Sequence, residues 1–177
     1  PPDVSNEEAA ELLGEYPFGP QQLMEIWGHA CAIAINKAFP LISLKRHPTV
    51  LVICGPSQNG CIGLACAYAC LTIYPRCATL NARFLPCTGT LQPCERTDIP
   101  FLSFLPAESY SSILLSLRHR GIPIASVDIP SCDHNGDEAN VDCINPTVLI
   151  SLMAPKKCAV SFSGTHYLVR PVLNHTV

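Results

Sequence analysis

Two short stretches of the chain hold side chains whose types and spacing could do chemistry. One is Gly55-Pro56-Ser57-Gln58-Asn59-Gly60-Cys61-Ile62-Gly63, and the other is Val127-Asp128-Ile129-Pro130-Ser131-Cys132-Asp133. The first joins an apolar run to an apolar helix, so its backbone N–H groups and a helix N-terminus could face an anion. It lacks the Lys-Ser/Thr that closes a triphosphate-binding loop, and its glycines do not follow G-x-G-x-x-G. Asn59 either coordinates a cation through its side-chain carbonyl or closes the turn, and spacing alone puts closing the turn first. Asp128 ends an apolar stretch, where a carboxylate is partly desolvated. Such a group is either a ligand or catalytic residue, or a cap for the N–H groups of the following loop. Ser131 could hold a metal with its hydroxyl and carbonyl, or serve as an ordinary turn residue. Asp133, Asp137, Glu138 and Asp142 lack the EF-hand order of ligands, so a solvated acidic loop is expected there.

Both stretches need strands to hold them. Thr49–Cys54 is a short continuous apolar run, the mark of a strand buried on both faces. Residues 122–129 form a second buried run, stopped by Pro130. Further strands are expected at 77–84, 99–105, 148–153 and 165–169. A helix over 21–39, opened by Pro20, carries Leu23, Trp27, Cys31, Ala34 and Ala38 at steps of three and four. Other helices are expected at 63–73 and 110–120, the latter ending at Gly121, and Ser5-Asn6-Glu7-Glu8 reads as a capping box. Residues 85–98 read weakly, with a frayed helix at 94–96. Alternating buried strands and helices give a doubly wound α/β sandwich with a largely parallel sheet. Residues 1–177 form one domain, with 1–17 as a helical arm. In such sheets ligands bind at the carboxyl ends of strands, where both chemical stretches fall.

Composition narrows the partners. At 177 residues and 48% apolar content the chain can build one core. Its net charge is −3 with no basic stripe, which argues against nucleic acid. Lys45-Arg46, Arg118-His119-Arg120 and Lys156-Lys157 are read as solvated surface, and no run is long enough for a membrane span. Of eleven cysteines, Cys31, Cys54, Cys66 and Cys70 sit in apolar runs, and no C-x-x-C or zinc spacing occurs. Reduced thiols in an intracellular compartment are the expected state.

Longer matches run almost end to end. They comprise Phe18-Gly19-Pro20-Gln21-Gln22-Leu23-Met24-Glu25, Val50-Leu51-Val52-Ile53-Cys54-Gly55-Pro56 and Asp98-Ile99-Pro100-Phe101-Leu102. They continue with Ile124-Ala125-Ser126-Val127-Asp128-Ile129-Pro130-Ser131 and Leu149-Ile150-Ser151-Leu152-Met153-Ala154-Pro155-Lys156-Lys157. Together these resemble the YjeF N-terminal domain family, whose best-known activity is NAD(P)H-hydrate epimerase and which includes the apolipoprotein A-I-binding protein. The resemblance implies a Rossmann-like three-layer α/β/α sandwich, usually a homodimer. It implies an isomerase that interconverts the R and S forms of NADHX and NADPHX beside a potassium ion. By matched position, Gln58, Asn59, Gly60, Cys61 and Ile62 form the substrate-binding loop, Asp128 is a substrate-binding carboxylate, and Asn59 and Ser131 are potassium ligands. The chemistry needs proton transfers that a positioned carboxylate could supply, and Asp128 is the remaining candidate.

The departures from the family pattern bear on activity. Where the family loop reads roughly N-N-G-G-D-G, this chain has Gln58 for the first Asn, Cys61 for a Gly and Ile62 for the Asp. Cys132 stands where the family has the Gly of a P-S-G turn. After Glu108 the family carries a strand and a Gly-rich loop, including a potassium-binding carboxylate, that this chain lacks. Removing a strand leaves two exposed sheet edges. The reading that follows is a catalytically degenerate domain, a binding or regulatory protein linked by analogy to lipoprotein or cholesterol handling. The alternative is an active NAD(P)H-hydrate epimerase. The compartment implied is cytoplasmic or mitochondrial, with secretion open.

Overall fold

Helix α1, Pro20–Ala38, sets one face of the fold. Pro20 supplies the pre-set φ of a first helical residue, and the Gln22 side chain accepts a hydrogen bond from the Gly19 N–H at 3.0 Å. Of its expected apolar stripe, Leu23, Trp27, Cys31 and Ala34 are buried, while Ala38 is half-buried. The computed structural model describes residues 18–43, 49–55, 57–73, 76–81, 101–102, 110–129 and 144–170. The expected arm at 1–17, the weak helix in 85–98 and the acidic loop that follows Ser131 lie outside these residues.

Strand β1, Thr49–Cys54, leads into helix α2, Gln58–Leu71, and then strand β2, Arg76–Asn81. Strand β3, Phe101–Leu102, is followed by helix α3, Tyr110–His119, and strand β4, Ala125–Val127. Gly121 has φ +60 just past α3, the left-handed position expected of a C-terminal glycine. Strands β5, Val148–Leu152, and β6, Thr165–Val169, complete the order, with short 3-10 turns at Leu41–Ser43 and Lys157–Ala159.

Every described pairing is parallel, as the fold class requires. The pairings fall into two sheets, β1-β2-β3 and β4-β5-β6. In the first, Thr49 lies opposite Arg76 and Cys54 opposite Asn81; in the second, Val127 lies opposite Ile150 and Leu152 opposite Val169. Helices α1 and α2 pack on each other, α2 covering β1 and β2 while α1 covers β5 and β6. One core spans both sheets, joining Trp27, Cys31, Ile62, Cys66 and Cys70 to Val148, Ile150, Leu152 and Val169. The arrangement is a Rossmann-like α/β fold.

Two expectations need correction. Strand β1 was expected to be buried on both faces, yet Leu51 is 42% exposed and Thr49 is exposed too. The cause is alternation: Val50 and Val52 turn to the core under α2, which leaves Thr49 and Leu51 on the other face of the strand. Strand β5, by contrast, has neighbours on both sides and is buried at all five positions. The expected strand over 122–129 is likewise short, with Ile122 and Ile129 exposed at its flanks. Among the described residues, β1 and β4 each pair on one side only.

Candidate functional site

The carboxyl ends of β1, β4 and β5 meet at Asp128. Its N–H donates to the Ile150 carbonyl at 2.6 Å, one step past the β4–β5 ladder, and its backbone then turns to φ +69. That left-handed conformation is costly for a residue with a Cβ and persists only where surrounding contacts hold it. The contacts here are polar. Asp128 Oδ1 accepts the Leu152 N–H at 3.2 Å and lies 3.6 Å from Lys156 Nζ. Both charged side chains are about nine-tenths buried, at 10% and 9% exposure. Asp128 Oδ2 lies 3.5 Å from Asn59 Nδ2.

Lys156 reaches Asp128 through a turn built at the end of β5. Met153 has φ +64 and donates its N–H to Val169, Ala154 bonds back to Leu152, and Arg170 Nε caps the Met153 carbonyl at 2.8 Å. The Lys156 carbonyl accepts the Ala159 N–H at 2.9 Å, which anchors the following 3-10 turn. The expectation of a solvated Lys156-Lys157 pair holds for Lys157, which is exposed, and fails for Lys156, which is buried. Two adjacent lysines carry no pattern that separates them.

The glycine-rich stretch after β1 is mostly helix. Helix α2 begins at Gln58, five residues earlier than expected, with the Ser57 carbonyl accepting from Gly60 and Cys61. Gly60 is required because a Cβ there would overlap the Gly55 carbonyl oxygen. Gln58 is exposed, Asn59 is half-buried and turned to Asp128, and Gly60, Cys61 and Ile62 are buried. Ile62 is 1% exposed and belongs to the core shared with Trp27 and Ile150. Ser131 lies outside the described residues. Of the residues singled out from sequence, the structure therefore brings together Asn59 and Asp128, and adds Lys156.

Cysteines surround the site. Cys31 of α1 is fully buried, and burial first, then the Asp128 charge and Cys70, pushes its thiol up to about 12. Cys66 and Cys70 lie one helical turn apart with sulfurs 3.9 Å apart, and that hydrogen bond lowers the Cys70 thiol against the effect of burial. Cys31, Cys54, Cys66, Cys70 and Cys158 form no disulfide, in line with the expected reduced thiols. Cys61 departs from that expectation, being disulfide-bonded. No three His, Cys, Asp or Glu side chains converge as a metal site among the described residues. No described helix is long and apolar enough to cross a membrane.

A Rossmann-like domain with a buried carboxylate at its strand ends is the class that fold and site define. No protein-family profile matches the chain. It is 48% identical to YjeF N-terminal domain-containing 3 of Danio rerio, over 94% of this chain and 80% of the relative. It is 42% identical to YjeF N-terminal domain-containing protein 3 of Homo sapiens, over 90% of this chain and 64% of that protein's length. The crystal structure of yeast ynu0 superposes with a TM-score of 0.79 at 28% identity, covering 95% of this chain and 88% of that one. The chain belongs to the YjeF N-terminal domain family. The zebrafish alignment runs to 202 positions, but 94% of 177 residues is only about 166, so about 36 positions have no counterpart here.

Proposed function

We propose that this domain binds an NAD(P)H hydrate, or a closely related ligand, at the Asn59–Asp128 strand ends and has lost most of the family's epimerase chemistry. The observation that carries the reading is Ile62, which stands where the family has an acid and whose side chain is packed in the core at 1% exposure. An alkyl group there can neither move a proton nor stabilise developing charge, and one such group is typically worth about 10²-fold in rate. That no described backbone pairing joins β1 to β4, near the contact of Asn59 with Asp128, supports the same reading.

Asn59 and Ser131 are the residues that would hold a potassium ion. Asn59 offers a hard amide oxygen of the kind alkali cations take, provided its amide is turned to present that oxygen. Bound there, the ion would supply positive charge beside the ligand. A homodimer and an apolipoprotein partner, with a role in cholesterol handling, belong to this reading through the family resemblance alone.

The second reading, an active epimerase, draws on the retained Asp128 with Lys156 beside it. Purified R- and S-NADHX separate the two. The expected result is a ligand-induced rise in melting temperature without interconversion above the spontaneous rate. Rapid potassium-dependent equilibration of the two forms would establish the epimerase instead.

A further inference from the structure

The geometry points to Lys156 as a positioning residue that fixes the orientation of the Asp128 carboxylate, so that one of its oxygens faces the ligand. Asp128 Oδ1 is occupied twice from within the fold, by the Leu152 N–H at 3.2 Å and by Lys156 Nζ at 3.6 Å. Oδ2 is turned the other way, toward the half-buried Asn59 at 3.5 Å. A carboxylate on a single Cβ–Cγ bond would otherwise swing its plane away from the ligand. The ammonium on one side and the Leu152 amide pin it in one rotamer. Stability alone does not call for this pair, because replacing a buried ion pair with apolar residues is often neutral or favourable.

The arrangement also defines the ligand group that Asp128 takes. The charges of Asp128 and Lys156 cancel locally, so the open oxygen offers hydrogen-bond acceptance without a strong net field. The matching group is a neutral donor, a hydroxyl or an amide N–H, rather than an anion or a cation. Identifying that donor with an NAD(P)H hydrate rests on the function proposed above; the positioning of Asp128 by Lys156 does not.

The test uses the full chain with Lys156→Met, Lys156→Arg and, as a surface control, Lys157→Met. Amide exchange at Leu152 and the side-chain amide resonance of Asn59 are read by NMR. Lys156→Met is expected to speed Leu152 exchange about tenfold relative to Ile150 and to shift the Asn59 resonance, in line with losing a charge-assisted contact. Lys156→Arg restores both readings, and Lys157→Met leaves both unchanged. NADHX affinity falls about tenfold in Lys156→Met and recovers in Lys156→Arg. Unchanged exchange and resonance in Lys156→Met would overturn the inference, and so would failure of Lys156→Arg to restore them. If Lys156→Met does not fold, the Arg variant decides: wild-type readings uphold the role, and disturbed readings remove it. A wild-type protein that ignores NADHX sinks the proposed function, while the exchange and resonance data still decide the role of Lys156.

Discussion

Asn59 and Asp128 meet across a break in the sheet. Their side chains lie 3.5 Å apart, yet β1, which leads into the helix that carries Asn59, and β4, which Asp128 follows, share no described backbone hydrogen bond. The two half-sheets are held side by side by the α1–α2 layer and its common core, with this polar contact at their carboxyl ends. About 36 positions of the zebrafish relative find no partner in this chain, a length that suits a strand with its loop. A break between β1 and β4 is where such a strand would stand.

The first prediction follows from that edge. Amides of β1, at Leu51 and Ile53, should exchange well before those of β5, at Leu149 and Ile150, although both strands are parallel and apolar. Inserting the relative's unmatched residues after Glu108 should slow the β1 amides. Covering Leu51 alone is worth about 1 kcal/mol, which is roughly 2–4 °C in melting temperature for a chain of this size. Equal exchange of β1 and β5 would mean that β1 is not an edge in solution.

Restoring the family acid should fail for a second reason besides the missing segment. Ile62 faces the core, so Ile62→Asp puts an unpaired carboxylate among Trp27, Cys66 and Ile150 rather than at the ligand. The expected cost is about 3–5 kcal/mol, on the order of 10 °C in melting temperature, with no gain in NADHX interconversion. A folded, more active variant would show that Ile62 lies at the site.

Much of this was legible from periodicity. The α1 stripe, the bounds of β1 and β6, and the glycine after α3 all stand where residue pattern put them, because each rests on local geometry. The start of α2 was misread because Gln58, Asn59 and Gly60 have turn-forming side chains, while the helix is fixed by the close approach of Gly60 to Gly55. Tertiary contact overrode local preference there. Lys156 was misread because burial of a lysine depends on a carboxylate 28 positions away, which no local pattern encodes. Asp128 was picked out correctly as a desolvated carboxylate, but whether it caps or binds could not be separated. In the structure one oxygen accepts the Leu152 N–H of β5, and the other is turned toward Asn59.

The disulfide at Cys61 predicts redox-sensitive stability. It ties the first turn of α2, two residues after Asn59, to another part of the chain. Reduction should remove about 2–4 kcal/mol. Thermal melts with and without dithiothreitol should therefore differ, and Cys61→Ser should lose most of that difference. A wild-type melt indifferent to reductant would show that the bond is absent in solution.

Cys31 sets a limit on stability at high pH. Its thiol is raised from the ordinary value of 9.0 to about 12, first by burial and then by the Asp128 charge and Cys70. Below pH 9 the thiol is protonated whether the chain is folded or not, so it makes no pH-dependent difference. Above pH 9 the unfolded chain gains by ionising while the folded chain does not, and stability is lost progressively toward pH 12. Lysines and tyrosines also titrate in this window, so the useful quantity is the difference between wild type and Cys31→Ala. The variant should be less stable at neutral pH, because it leaves a small cavity in a fully buried position. Its decline between pH 9 and 12 should nonetheless be shallower, so that the two denaturation-midpoint curves converge. Parallel curves over that range would show that Cys31 ionises as readily in the folded chain as in the unfolded one, and that the Asp128 charge does not reach it.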